Sequence, residues 1–480
     1  MNTFDCLIPV PQRVEFSDKD FLTIAEIKNF YIDNFFVDFI GEIKELFSFF
    51  TYSIIPAECQ TNAQLVILQA AMPPEGFRIA VDSDRITVTA ADSAGLRYAI
   101  EAMRQMIFAA TICGPSAAQL TCGAVEDFPR FSFRSFHLDS ARHFQSVAVI
   151  KRMLKFMAAF RLNTFHWHLV DSQGWRLQLK STAGLENCYT NTPGFYTAAE
   201  IAEITDYAQK LNISIIPEID FPGHSKGTLK FFPQYACPQA AENARELCLG
   251  NPASKEFVKS ILKEVMELFP QSTHIHIGGD EASTDNWGKC PLCQAAMQKE
   301  NCQTLRELEN KFMYDIAQMV IDHHRTPIIW GTCSGQTYQK ETIIQAWLDI
   351  REPLRVAPLG NKVIYSVHNS LYFDYPANLS EPWETWMFEL TARGVYMTDP
   401  HIIWQDKVKD TIIGTEACLW TETVPQWRII PKMLPRLYAY SECAWSNPDK
   451  KDHANFCRRQ ELLEAAGYFD YLTVSTAQVN

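Results

Sequence analysis

A chain of 480 residues exceeds what one small core organises, and its 47% hydrophobic and 12% aromatic content supplies a sizeable apolar interior. The formal charge of −13, without a long basic run, argues against nucleic acid and against an anionic membrane surface as partners. No apolar run reaches spanning length and Met1–Pro11 lacks a basic-then-apolar leader, so no membrane insertion is expected, and the chain reads as cytoplasmic or as a secreted or periplasmic protein trimmed of its leader.

Residues 1–127 alternate strand and helix signals. Gly76–Ala90 predicts a hairpin, with Phe-Arg-Ile-Ala-Val and Arg-Ile-Thr-Val-Thr flanking Asp82-Ser-Asp84. Ser93–Phe108 follows as an amphipathic helix with Leu96, Ile100, Met103 and Ile107 on one stripe. No charged or histidine cluster collects here, so the segment reads as an α+β support domain. Periodicity breaks between Cys113 and Arg130, which marks the boundary.

From residue 128 to 480 the rhythm changes. Strand patterns fall at Phe133–Asp139, Asn163–Leu169, Ile213–Ile219, His274–Ile277, Pro327–Trp330, Ile343–Trp347, Lys362–Val367 and Ile412–Trp420. Helical patterns lie between most of them, at Val147–Phe160, Thr197–Leu211, Lys255–Phe269 and Thr304–His324, with Gln426–Ala444 after the last. Eight strands separated by helices over this length predict an α/β fold of the (β/α)8 type, whose chemistry sits at the strands' C-terminal ends.

The polar and aromatic residues at those ends are Asp139 and Arg142; His166, His168 and Asp171; Glu218, Asp220 and His224; Asp280 and Glu281; Trp330; Trp347; Tyr372 and Asp374; and Trp420 and Glu422. Acids, an arginine and three tryptophans around one mouth suit a sugar-like ligand, whose ring faces stack on indole while its hydroxyls need charged partners. Taken singly, each has an ordinary reading: a core histidine or tryptophan, or a solvated acid pair. His166-x-His168 also resembles a metal pair, because residues two apart on a strand point the same way. The stretch Thr273–Ser283 is the most informative. A short Ile/His strand enters Gly278-Gly279, which allow a sharp turn and close approach, and then two adjacent carboxylates. In a dry pocket one of them is pushed towards its protonated form, as a general acid requires.

Fourteen cysteines scattered over the chain do not form a disulfide framework. Cys333, Cys418 and Cys443 lie in apolar stretches, where a free thiol acts as a small hydrophobe. Cys290-Pro-Leu-Cys293, with Cys302 beyond, is the one metal-like spacing, and a single such pair falls short of a zinc motif.

Four ordered motifs resemble glycoside hydrolase family 20, the β-N-acetylhexosaminidases: Leu-Asp-Ser-Ala-Arg-His-Phe (138–144), Asn-Thr-Phe-His-Trp-His-Leu-Val-Asp (163–171), Pro-Glu-Ile-Asp-Phe-Pro-Gly-His (217–224) and His-Ile-Gly-Gly-Asp-Glu (276–281). Residues 1–127 resemble that family's small N-terminal domain. The resemblance implies substrate-assisted retaining hydrolysis, in which the sugar's own 2-acetamido oxygen attacks the anomeric carbon and forms an oxazoline. It implies Glu281 as acid and base, Asp280 on the acetamido N–H and Tyr372 on its oxygen, with Trp330, Trp347 and Trp420 around its methyl. It further implies Arg142 and Glu422 on the ring hydroxyls, with Asp374 beside them, and Asp171 and His224 as a relay orienting Glu281. The expected partner is a glycan or glycoconjugate ending in N-acetylhexosamine, and no cofactor is expected. Self-association of the chain stays open. The chain departs from the family pattern at Ser172, where a second acid is frequent, and at Gly331-Thr332-Cys333 after Trp330. Other readings are a same-family enzyme releasing a disaccharide or a sulfated sugar, a metal-dependent barrel hydrolase using His166 and His168, and an inactive sugar-binding module.

Overall fold

The computed structural model describes residues 2–114, 118–240, 244–331, 337–401 and 405–475; Cys333 lies outside them. By packing, the chain divides into two compact units. One comprises Met1–Ser132, Lys155–Leu162 and Leu437–Asn480, and the other Phe133–Leu154 and Asn163–Arg436. This division differs from the expected cut at 127/128, because the C-terminal helices group with the N-terminal residues.

The first unit is built on a seven-stranded sheet of β1 (Arg13–Thr23), β2 (Asn29–Ile32), β3 (Ile55–Pro56), β4 (Leu65–Gln69), β5 (Phe77–Val81), β6 (Ile86–Ala90) and β7 (Gln119–Asp127), in the order β1-β7-β5-β6-β4-β2-β3. The expected hairpin is β5–β6, with Phe77 opposite Ala90. Phe77, Ile79, Val81, Ile86 and Val88 alternate into the core. The expected helix runs Ser93–Ala110, capped by Asp92, whose carboxylate accepts from Gly95 N at 2.9 Å. Within this unit Glu442 accepts from Val10 N at 2.9 Å and from Arg459 at 2.7 Å, and Arg459 also donates to Leu7 O at 2.6 Å.

The second unit holds a closed barrel of eight parallel strands: β8 (Phe133–Asp139), β9 (Thr164–His168), β12 (Ser214–Glu218), β13 (His274–His276), β14 (Thr326–Trp330), β15 (Ile343–Ala346), β16 (Val363–Tyr365) and β17 (Ile412–Leu419). A two-stranded ribbon, β10 (Val170–Asp171) with β11 (Gly174–Trp175), follows β9. All eight barrel strands fall where the sequence pattern predicts them. Helix bounds differ at two places. Pro252 follows the capping residue Asn251, so that helix starts three residues early, at Pro252. The segment expected as one helix over Gln426–Ala444 is divided at Leu434-Pro435, because proline offers no N–H to the preceding turn.

The barrel interior is layered by the period-2 rule. Phe133, Ile216, Ile328, Ile343 and Ile364 pack together at the N-terminal end. Two residues on, the same faces carry polar groups such as Glu218 and Gln345, and those layers hold His137, His166, His168, His276 and Glu416, all buried. Continuing along the strands brings the acids and tryptophans to the C-terminal mouth.

Candidate active site

At the mouth a cavity of about 430 Å³ is lined by Arg142, His224, Asp280, Glu281, Trp347, Leu348, His368, Tyr372, Asp374, Tyr375, Trp386, Met387, Trp420 and Glu422. Nine of the eleven residues expected at the site line it. Asp171 stands one layer back, behind His224 and Arg142, and Trp330 is a difference from expectation. Only 1% of it is exposed, its ring lies behind Trp420 with centroids 5.8 Å apart, and its Nε1 donates to Glu218 Oε1 at 2.6 Å. Of the three tryptophans expected around one methyl group, Trp347 and Trp420 face the cavity. The bond to Glu218 holds Trp330 in the floor.

Local structure aims each side chain. Asp139, at the end of β8, accepts from the backbone N–H groups of Ala141 (2.9 Å) and Arg142 (3.0 Å), turning the chain so that the Arg142 guanidinium enters the mouth. There it meets Asp171 Oδ2 at 2.7 Å and Glu422 Oε1 at 3.8 Å, and lies over the Trp420 ring at 5.0 Å. Gly278 and Gly279 carry φ of 65° and 98°. A Cβ on Gly278 would come within 1.8 Å of Asp220 Oδ1, the oxygen that accepts from Gly279 N at 3.0 Å. Only glycine permits this approach. His224 and Glu281 are themselves in the left-handed region, at φ 50° and 49°, a conformation that costs a non-glycine residue and persists where surroundings enforce it. The turn carrying Tyr372 and Asp374 is fastened by buried cations: Lys432 donates to Asp374 O at 2.9 Å, and Arg436 to Phe373 O at 2.6 Å and Tyr375 O at 2.8 Å.

The His224 imidazole joins the acids. Its Nδ1 lies 3.0 Å from Asp171 Oδ2, and its Nε2 lies 3.8 Å from Asp280 Oδ2 and 3.7 Å from Glu281 Oε2. Burial alone would lower the His224 pKa, but Asp171, Asp220 and Asp280 raise it well above the ordinary histidine range. Burial would raise that of Asp171, and Arg142 with His224 overrides it and holds the carboxyl ionised. Asp280 is pushed up, chiefly by burial and further by the Glu218 and Glu281 charges. The Glu281 side chain is 60% exposed. Asp374 is pushed up to about 8 by burial and by Glu422. Four buried polar atoms around the cavity, Asp280 Oδ1, His224 Nε2, Asp374 Oδ1 and Trp347 Nε1, have no hydrogen-bond partner among the described residues, so a polar ligand here would find groups to pair with.

The histidines expected as an alternative metal pair are engaged beneath the cavity. His168 donates from Nδ1 to Glu218 Oε2 at 2.5 Å and faces Asp171 at 3.2 Å; His166 lies 2.9 Å from Glu416 Oε1 and 3.2 Å from Glu218 Oε2. Sequence reasoning missed the lip. Leu348, Tyr375, Trp386 and Met387 line the cavity from irregular segments and His368 from the start of a short helix; the aromatic density of residues 372–388 is the signal that could have found Tyr375, Trp386 and Met387.

Comparison with known proteins agrees with this geometry. A model described as glycosyl hydrolase family 20, catalytic domain, matches residues 131–448, and one described as domain 2 of the same family matches residues 6–128. A beta-hexosaminidase from Akkermansia muciniphila is 29% identical over 455 residues, covering 87% of this chain and 92% of that protein. One from Porphyromonas gingivalis is 30% identical over 431 residues, covering 84% of this chain, which spans about half (55%) of that longer protein. Among solved structures, the β-N-acetylhexosaminidase from Bacteroides fragilis superposes with a TM-score of 0.85 at 28% identity, covering 99% of both chains. The exo β-N-acetylglucosaminidase from Vibrio harveyi gives 0.86 at 26% identity, covering 97% of this chain and 78% of that one. The chain belongs to glycosyl hydrolase family 20.

Proposed function

We propose that the chain is an exo-acting β-N-acetylhexosaminidase that removes a terminal β-linked N-acetylhexosamine from a glycan by substrate-assisted retaining hydrolysis. The observation that carries the mechanism is that Asp280 and Glu281 both lie against one nitrogen of His224, at 3.8 and 3.7 Å. Two carboxylates on one flank of a sugar cannot serve as acid and nucleophile on opposite faces of it, as a retaining enzyme with its own nucleophile requires. Asp374, held towards its neutral form below about pH 8 by burial, is suited to donate to a hydroxyl rather than to attack carbon. In this reading the nucleophile is the substrate's 2-acetamido oxygen, as the family resemblance implies.

In this reading Glu281 protonates the glycosidic oxygen as the acetamido oxygen closes on C1, and it then takes a proton from the water that opens the oxazoline. Asp280 accepts from the acetamido N–H and steadies the positive charge that develops on the ring. The Tyr372 hydroxyl, beside Trp420, donates to the acetamido oxygen, and Trp347 and Trp420 flank the methyl. Arg142, Asp374 and Glu422 take the ring hydroxyls. Asp171, held ionised by Arg142, fixes the His224 imidazole that faces Glu281, so the relay positions the acid rather than reacting.

The test is hydrolysis of paired aryl β-glycosides, one with a 2-acetamido group and one with a 2-hydroxyl, with a thiazoline inhibitor as control. Turnover of the acetamido substrate alone, blocked by the thiazoline, is expected. Equal turnover of both would mean a protein nucleophile, and turnover only of longer glycans would favour release of a disaccharide.

A further inference from the structure

The CxxC pair at 290 and 293 does not stand alone. The loop after β12 folds Cys237 and Cys248 onto it, and all four residues are buried. Their sulfurs lie within 4.8 Å of one another, with 3.9 Å between Cys237 and Cys293 and 3.7 Å from Cys248 to each of Cys290 and Cys293. A disulfide brings its sulfurs to about 2 Å, so these pairs are not bonded. Four thiolates about 2.3 Å from a tetrahedral ion stand about 3.8 Å from one another, which matches these three separations, and the whole set lies within 4.8 Å. We propose that Cys237, Cys248, Cys290 and Cys293 bind one zinc ion in a closed tetrathiolate site.

The surroundings suit such a centre. Cys290 is the N-cap residue of the helix Pro291–Lys299 and Cys293 lies in its first turn, so one helix end holds both thiols in place. A Cβ on Gly250 would fall 2.2 Å from Leu292 C and O, so only glycine lets the two loops approach this closely. Cys302, which the spacing also suggested, stays apart, with its thiol directed at Glu300 O.

The ion would join the two loops that carry the relay histidine and the acid pair. Cys237 and Cys248 follow His224 in the loop after β12, and Cys290 and Cys293 follow Glu281 in the loop after β13. The same two loops are already stitched beside the cysteines: Glu246 accepts from Ser283 N and Asn286 Nδ2, each at 3.2 Å, and Trp287 Nε1 donates to Leu247 O at 2.8 Å. On binding, the ion replaces the thiol protons, which are released to solvent, and no open coordination position remains for a water. The site therefore fastens the loops and takes no part in bond cleavage.

The test does not depend on the activity assay, so it stands or falls apart from the reading of the barrel mouth. The full chain, purified without a metal-affinity tag, is expected to carry about one zinc per chain by elemental analysis, released on titration with a mercurial. Exchange with Co²⁺ should give intense thiolate-to-cobalt absorption and the visible bands of a tetrahedral site. Cys293→Ser should lower bound metal to under about one tenth per chain, while Cys59→Ser, at an exposed cysteine elsewhere, should leave it unchanged. If Cys293→Ser does not fold, the cobalt spectrum of the unaltered chain decides. Protein lacking bound metal whose Co²⁺ adduct is octahedral, or protein carrying iron in place of zinc, would overturn the proposal.

Discussion

Two glutamates on neighbouring strand ends of the barrel live in opposite surroundings. Glu218 is fully buried, and His168, His166, His276, His137 and the Trp330 indole all turn towards it. Burial would raise its pKa, but His168, His276 and His166 outweigh that and hold it well below the ordinary range. Glu281 has a mostly exposed side chain and an imidazole nitrogen at 3.7 Å. A carboxylate ringed by donors is fixed as an anion and serves the fold. One that must give a proton and take it back needs solvent access and a neighbour it does not already bind tightly. The same residue type is structural in one place and chemical in the other because of what its neighbours leave free.

The sharpest way to break this contrast is to neutralise each glutamate. Glu281→Gln should lower turnover of substrates with poor leaving groups by about 10²–10⁴-fold while substrate binding and thermal stability stay near normal, measured by kcat and an unfolding curve. Asp280→Asn should cost about 10²–10³ in kcat, because the acetamido N–H and the developing ring charge lose an anionic partner. Glu218→Gln should act on stability instead, by about 3–5 kcal/mol in urea unfolding, since it leaves buried histidine charge uncompensated. A Glu281→Gln variant that unfolded as readily as Glu218→Gln would erase the distinction.

The pH dependence sharpens it further. Burial would lower His166 and His168, but Glu416 with Glu218 raises the first to about 9, and Glu218 with Asp171 raises the second to about 10. The folded state thus holds more protons than the unfolded chain above pH 6.5, the ordinary histidine value. Stability from this pair is complete below about 6.5 and is lost as pH rises through about 9–10. Glu218→Gln should flatten that decline in a series of unfolding curves, and Glu281→Gln should leave it unchanged. The smallest expected effect is at the lip. Trp386, 61% exposed on the cavity rim, should when changed to alanine raise KM about fivefold for substrates with an extended leaving group, and leave kcat nearly unaltered.

What could be read beforehand was whatever has short-range grammar. The eight strands are periodic and carry their mouth residues shortly past their C-terminal ends, so Asp171, His224, Asp280 and Glu281 could be placed there from spacing, while their roles were implied by the family motifs. That Trp330 forms the floor was not legible, because its position at a strand end does not tell which way its indole hydrogen bond runs; Glu218, 112 residues earlier, decides that. Cys237 and Cys248 carried no motif. They become ligands of a common centre only because Gly250 lets one loop lie against Leu292 of another. Trp386 sits in a stretch without regular structure, where no period predicts which side faces the cavity.

The bond from Val10 N to Glu442 joins residues 432 positions apart, and Asn447 Nδ2 reaches Gln12 Oε1 at 2.7 Å beside it. During synthesis the ribosome therefore releases the strands of the first unit before the barrel, while the helices that complete that unit emerge only after it, since the barrel strands end at Leu419. The sheet must wait through synthesis of the whole barrel with Leu7 and Val10 unmatched, a stage when a chain is open to chaperones and to aggregation.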